Sequence, residues 1–153
     1  CVFGELIYDS FIPGLLGGII FILVSFLYSN NKKKLISILI LISIPGYLFD
    51  SILVFFEVYE FQTSSYFYFL PVWMLILWPS FAILFYKVFA FLSNYKILAV
   101  LLSGILGPLA YYSGSPLGLI VINKFYIFFF LMIIFWILLM LYYLNFLLKL
   151  KFN

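Results

Sequence analysis

Long apolar runs separated by short polar segments dominate this sequence. The cleanest run extends from Phe125 to Leu148 without a charged residue. A helix needs about 20 mostly apolar residues to cross the hydrocarbon core of a bilayer. Only helices and closed barrels satisfy their backbone hydrogen bonds in lipid, and barrel strands alternate polar and apolar residues. Because these runs are apolar on every face, we expect helices and no strands.

Composition indicates that the solvent of this chain is lipid. The chain is 68% hydrophobic and 8% charged, whereas soluble domains are about 45–50% apolar and about 25% charged. A soluble domain of this size would still expose roughly a third of its chain surface to water. The expected fold class is therefore all-α, a polytopic transmembrane helix bundle.

Polar segments and turns divide the chain into five predicted membrane spans within one integral membrane domain, residues 1–153. Residues 1–10 are interpreted as the end of a truncated first helix, so the full chain would have six spans. Residues 57–65 form a polar connection, and residues 117–122 are too short to cross, which predicts an interfacial or re-entrant piece. The predicted spans are residues 11–28, 35–56, 67–91, 97–112 and 125–148.

Lysine placement predicts the orientation of these spans. Cytoplasmic loops of membrane proteins carry an excess of Lys and Arg, and the clearest polar loop contains Lys32, Lys33 and Lys34. If that loop is cytoplasmic, alternation of the spans also places Lys96 and the C-terminus in the cytoplasm. All five acidic residues then belong to the outer half of the protein.

Three features of the composition narrow the function. The chain has no Arg and no His, and it has one Cys. Nucleic-acid binding normally uses Arg, so no nucleic-acid partner is expected. Without His we expect no metal site and no cofactor. An enzyme would be left with carboxylate or tyrosine chemistry, which favours a non-enzymatic role.

Asp50 is the acidic residue that falls within a predicted span. It lies about 22 Å along a helix from Leu35, short of the headgroups. Acidic residues at such depths usually face a bundle interior or a cavity. Asp50 could contact a substrate or carry a proton, or it could be a hydrated acid near the interface or cap a helix fragment. The sequence does not separate these interpretations.

Aromatic residues at a similar height complete a candidate polar cavity. Trp78 is too deep for an interfacial anchor, and its indole N–H needs a partner, for which Asp50 on the adjacent span is suitably placed. Trp73 could be an interfacial anchor, and Tyr111 and Tyr112 offer hydroxyls level with Asp50. Packing against neighbouring helices is the simpler alternative for these side chains. The candidate cavity residues are Asp50, Trp73, Trp78, Tyr111 and Tyr112.

Prolines and glycines inside the spans suggest helix breaks and close helix packing. Proline removes a backbone hydrogen bond and kinks a helix, while small residues let helices approach closely. Broken helices often line binding cavities, although both residue types also occur in ordinary spans. The positions are Pro45, Gly46, Pro79, Gly104, Gly107 and Pro108.

Three segments carry a resemblance to a known family. They are Gly46 with Asp50-Ser51, the run Pro71-Val72-Trp73 to Leu77-Trp78 with Phe81, and Gly107-Pro108-Leu109-Ala110-Tyr111-Tyr112-Ser113-Gly114 with Leu117-Gly118. Together they resemble an uncharacterised family of small bacterial inner-membrane proteins, catalogued as a domain of unknown function. The resemblance spans essentially the whole chain. It implies a multi-pass protein of the bacterial inner membrane and a genetic association with lipid-modifying enzymes, but no reaction.

The leading hypothesis is a multi-pass inner-membrane protein that binds a lipid or small amphiphile as an accessory to membrane-lipid modification. One alternative is a substrate-binding or transport component of a small-molecule uptake system. Another is a structural subunit of a membrane complex. The expected partners are the lipid bilayer, a lipid or small-molecule ligand, and a second membrane protein.

Overall fold

The computed structural model describes residues 12–63, 66–87 and 94–152, which are mostly helical. Four short strands lie in the connections between helices. In chain order the elements are α1 (Ile12–Leu27), α2 (Lys32–Phe55), β1 (Tyr59–Phe61), β2 (Tyr66–Phe67), β3 (Leu70–Pro71), α3 (Met74–Lys87), α4 (Lys96–Tyr112), β4 (Ile120–Ile122) and α5 (Phe125–Phe152).

Two of the described helices are long and apolar enough to cross a membrane. They are α2 and the Phe125–Phe146 part of α5, while α1, α3 and α4 are shorter apolar helices. Each of the five predicted spans thus contains a helix, although five membrane crossings stay a prediction. Residues 1–10 lie outside the described residues.

The expectation of no strands is wrong in the connections. β1 pairs antiparallel with β4, so that Tyr59 stands opposite Ile122, and β2 pairs with β3. Residues 117–122, predicted as an interfacial or re-entrant piece, contribute β4, and their position relative to a membrane stays a prediction. Backbone N–H and C=O groups in a packed connection must find partners, and these short ladders supply them.

The third helix begins at Met74, later than the predicted start at residue 67. The preceding residues form the β2–β3 hairpin, in which Tyr68 adopts a positive φ of 56°. Pro71 ends the hairpin and has no N–H to donate into a helix. The predicted end of this span, residues 88–91, lies outside the described residues.

The three prolines named as helix breaks or packing positions lie inside helices. α2 continues through Pro45, α3 through Pro79 and α4 through Pro108. Neighbouring helices commonly compensate for proline in apolar bundles. The glycines near these prolines act instead in packing.

The helices pack in the spatial order α1, α3, α2, α5, α4, each against its neighbour in that order. Among the described residues, α3 and α4 are not a closely packed pair, so a space remains between them. The core is rich in aromatic side chains, and its buried members include Tyr59, Trp78, Phe85 and Trp136.

Two glycines admit two indole rings into the centre of the bundle. A Cβ atom on Gly46 would lie 2.3 Å from the ring of Trp78, and one on Gly107 would lie 2.3 Å from the ring of Trp136. The two indoles stack with ring centroids 5.8 Å apart and an interplanar angle of 22°. Gly46, Trp78, Trp136 and Gly107 therefore form a layered contact, the glycine–indole stack, which joins α2, α3, α5 and α4.

We predict that Gly107→Ala destabilises the protein, because the added methyl group overlaps a rigid ring that is itself packed on both sides. Overpacking of this kind typically costs about 1–3 kcal/mol. Gly17→Ala is the matched control, because nothing lies within 4 Å of its Cβ position and alanine is favoured over glycine in a helix by about 1 kcal/mol. Thermal unfolding in detergent measures both variants; equal melting temperatures would contradict the stack.

Candidate functional site

The Asp50 carboxylate is fully buried and accepts hydrogen bonds from three side chains. The Tyr59 hydroxyl donates to Oδ1 at 2.7 Å, and the Trp78 Nε1–H donates to Oδ2 at 2.7 Å. The Tyr111 hydroxyl lies 2.9 Å from each carboxylate oxygen. We call Asp50, Tyr59, Trp78 and Tyr111 the carboxylate cluster.

Four elements position the carboxylate cluster: α2, β1, α3 and α4. Asp50 lies one helical turn after Gly46, so it faces the same side of α2 as the glycine that receives Trp78. Tyr111 stands in the same relation to Gly107 on α4. Both helices thus carry a glycine with a polar side chain four residues later. On each helix the glycine leaves room for an indole ring beside the carboxylate cluster.

The electrostatics of the cluster depend on three neutral donors. An ionised carboxylate only accepts hydrogen bonds, and its four lone-pair sites can receive several donors. Hydrogen bonds to a charged acceptor are stronger than neutral ones, and both carboxylate oxygens of Asp50 receive a donor. Burial raises the pKa of the Tyr59 hydroxyl well above its usual value, and the neighbouring Asp50 raises it further. Tyr59 therefore stays protonated and continues to donate.

Aromatic contacts hold the donors in place. The Tyr59 ring makes edge contacts with Tyr111 at 6.0 Å and with Phe128 at 5.7 Å between centroids. Trp78 is fixed by its stack on Trp136 and by an edge contact with Phe135 at 6.2 Å. Such pairs contribute about 0.5–1.5 kcal/mol beyond area burial, so the cluster is a packed and rigid arrangement.

A cavity of about 450 Å³ lies beside the carboxylate cluster, between α3 and α4 and against α5. Its walls are almost entirely apolar and aromatic. Lining residues come from α3, from one face of α4, from the segment that leads into β4, and from α5. They include Trp73, Trp78, Leu106, Tyr111, Leu119 and Trp136.

The structure brings three of the five predicted cavity residues to the cavity wall. Trp73, Trp78 and Tyr111 line it. Asp50 does not; it lies behind the wall, where it holds Trp78 and Tyr111. Tyr112 is 43% exposed, packs near Phe129 and is not among the lining residues. Trp73, considered as an interfacial anchor, is instead only 4% exposed.

Two residues of the site have no clear signal in the sequence. Tyr59 belongs to a segment that reads as a polar connection, and it reaches Asp50 because that segment folds back as β1. Trp136 lies in a uniformly apolar helix without an amphipathic face to indicate its direction. The small residue Gly107 on a neighbouring helix is the only hint that a large ring fits there.

No group of three or more His, Cys, Asp and Glu side chains that could hold a metal ion occurs among residues 12–63, 66–87 and 94–152. The connections that contain β1 and β4 hold other polar contacts near the site. Asn123 donates to Glu60 at 2.7 Å, and the Lys124 ammonium donates to the Phe56 carbonyl at 2.7 Å. The first bond joins β1 to the residue after β4, and the second joins the same segment to the end of α2.

A protein-family model matches residues 1–142 of the chain, and its description is "Protein of unknown function (DUF2878)". The match covers most of the sequence, including all the residues of the carboxylate cluster and of the cavity wall. No curated protein and no solved structure matches the chain.

We predict that Tyr111→Phe lowers the free energy of unfolding by about 1–2 kcal/mol, because it removes one donor from a buried carboxylate. Tyr112→Phe is the adjacent control and should change it by less than about 0.5 kcal/mol, since that side chain lies near the surface. Chemical or thermal unfolding in detergent compares the two. A larger effect at Tyr112 than at Tyr111 would contradict the assigned hydrogen bonds.

Proposed function

We propose that this chain, which belongs to the DUF2878 family of proteins of unknown function, is a multi-pass inner-membrane protein that binds a lipid or small amphiphile. The binding site is the cavity between α3 and α4. The protein acts there as an accessory to membrane-lipid modification, holding the molecule while a partner carries out the chemistry. The observation that carries the proposal is the apolar cavity beside the carboxylate cluster.

Size and composition of the cavity support an amphiphilic ligand. Its volume of about 450 Å³ lies within the usual range of ligand sites, about 300–1,000 Å³. Leucine, phenylalanine, methionine and tryptophan side chains supply most of its surface. Binding sites for small molecules are typically lined in this way, with a few polar groups that orient the ligand.

The position of the cavity mouth supports entry from the side of the bundle. Leu106 lines the cavity and is also 55% exposed on the outer surface of α4. Ala110, one turn further along α4, also lines the cavity and is also exposed. Since α3 and α4 are not closely packed, an apolar opening lies between them. In a bilayer, such an opening would face lipid chains.

The carboxylate cluster supports the cavity wall. The hydrogen bonds of Asp50 fix the directions of the Trp78 and Tyr111 side chains, both of which line the cavity. Because these rings have fixed directions before a ligand binds, they lose less conformational entropy on binding. In this proposal Asp50 is a positioning residue for the wall, and the ligand contacts the rings.

The experiment is identification of molecules that remain bound through purification. The wild-type chain, extracted in detergent, should carry a lipid or amphiphile that mass spectrometry detects after denaturation. Leu106→Trp, which narrows the mouth, should weaken binding about 10-fold or more, equivalent to about 1.4 kcal/mol. Ile105→Trp is the matched control, because Ile105 is 57% exposed on the same helix but does not line the cavity.

The outcomes separate the candidate functions. A retained lipid that is lost in Leu106→Trp and kept in Ile105→Trp supports the proposal. Equal retention in both variants would mean that the lipid binds to the outer surface only, which contradicts it. A soluble metabolite in place of a lipid would contradict it in favour of a transport component.

A further inference from the structure

The cavity is elongated along the axes of α3 and α4. Its lining positions on α4 recur every three or four residues from Ala99 to Tyr111, which is the spacing of one helix face. On α3 the lining positions likewise follow one face from Trp73 to Phe85. Because a helix rises about 1.5 Å per residue, the lined face of α4 is about 18 Å long. The cavity therefore has the proportions of a channel between two helices.

The two ends of the cavity differ in their access to the surroundings. At one end the lining residues Phe85, Ala99 and Met140 are 2%, 0% and 3% exposed. We call these three residues the closed end. At the other end Ser113 and Leu117 line the cavity and are exposed. A long molecule in the cavity would therefore have one tip inside the bundle and the other at its surface.

The wall between the two ends accepts only an apolar part of a ligand. The described lining residues include no Lys, Asp or Glu, and burial of an unpaired ion is far more costly than burial of a neutral group. The Ser103 hydroxyl lies within hydrogen-bond distance of the Val100 and Trp136 carbonyls, and Tyr111 donates to Asp50. The occupant is therefore a hydrocarbon chain, and its polar group lies outside, beyond Ser113.

The dimensions of the cavity limit this chain. A methylene group takes up about as much space as a water molecule, whose share of the liquid is about 30 Å³, so a cavity of about 450 Å³ holds about 15 carbon atoms. An extended chain of that size is also about as long as the lined face of α4, about 18 Å. Volume and length thus agree on one extended chain, with no room for a second one beside it.

From these observations we propose that the cavity binds a single unbranched acyl chain of about 14 to 16 carbons, with its methyl group at the closed end. The closed end then selects the length of the chain. A shorter chain leaves a void whose lining loses van der Waals contacts, and a longer one overpacks the closed end or leaves its polar group displaced. This inference rests on the proposed function, because it specifies which part of the amphiphile the same cavity recognises.

Retention of chains of different length tests this selection in the detergent-solubilised wild-type protein. The probes are two equimolar mixtures, lysophosphatidylcholines and free fatty acids, each with saturated chains of about 10 to 22 carbons that bracket the expected length. Mass spectrometry gives the ratio of protein-bound to micellar probe for each length. The ratio should peak at about 14 to 16 carbons and fall about threefold for chains four carbons longer or shorter. Both mixtures should peak at the same length, and the one retained more strongly identifies a lipid or a free acid as the source.

Two substitutions near the closed end should move the peak. Ala99→Leu adds three carbon atoms there, so the preferred chain should become about two to four carbons shorter in a tightly packed site. Leu102→Phe adds the same number one helical turn nearer the open end, should act in the same direction, and decides the question if Ala99→Leu does not fold. Leu101→Phe is the matched control and should leave the peak unchanged, because Leu101 is 57% exposed and does not line the cavity.

Each outcome supports or overturns a specific claim. If all chain lengths are retained equally and retention is lost in Leu106→Trp, the proposed function stands and the selection of chain length is wrong. If the peak stays at the wild-type length in both closed-end variants, the chain does not reach the closed end, which also overturns the inference. If the protein retains no chain of any length, the cavity is not a lipid site, and the proposed function fails together with the inference.

Discussion

A buried carboxylate with three neutral donors is the interaction on which the rest of the structure depends. Burying a charged group without partners is costly, and Asp50 is fully buried. Its hydrogen bonds to Tyr59, Trp78 and Tyr111 offset this cost and join α2 to β1, α3 and α4. Removing one partner would leave a buried polar group unsatisfied, so the cluster fixes the relative positions of these elements.

The hydrogen bonds of Asp50 also account for the position of the cavity. Asp50 holds Trp78 on the side of α3 that faces α5, where it stacks on Trp136, and the two glycines allow both indoles to reach the centre. α3 and α4 are thereby connected through Asp50 and the indoles, while the space between the two helices stays open. The cavity therefore has a wall of fixed aromatic rings on one side and an apolar opening on the other.

The helices and part of the candidate site could be predicted from the sequence. The length of an apolar run and the need of buried polar groups for partners are strong constraints on the fold. The approximate positions of the helices follow from the lengths of the apolar runs. The pairing of Trp78 with Asp50 follows from about 1.5 Å of rise per residue and the need of an indole for an acceptor. The connections could not be predicted, because Tyr59 reaches Asp50 only through long-range pairing of β1 with β4. Trp136 could not be placed, since α5 is apolar on every face. The hairpin before α3 was missed because its residues are as apolar as the helix that follows.

Photolabelling tests the central claim, that an amphiphile occupies the cavity, most directly. A neutral acyl ester with a diazirine in its chain would be incorporated into membranes that contain the chain, and labelled residues would be located by peptide mass spectrometry. The account predicts labels on Leu119 and Met140, which line the cavity and are 5% and 3% exposed, in addition to labels on outward-facing residues such as Ile105. Labels confined to Ile105 and other exposed positions would show that lipid contacts only the outer surface of the protein. This result would contradict the claim that an amphiphile occupies the cavity.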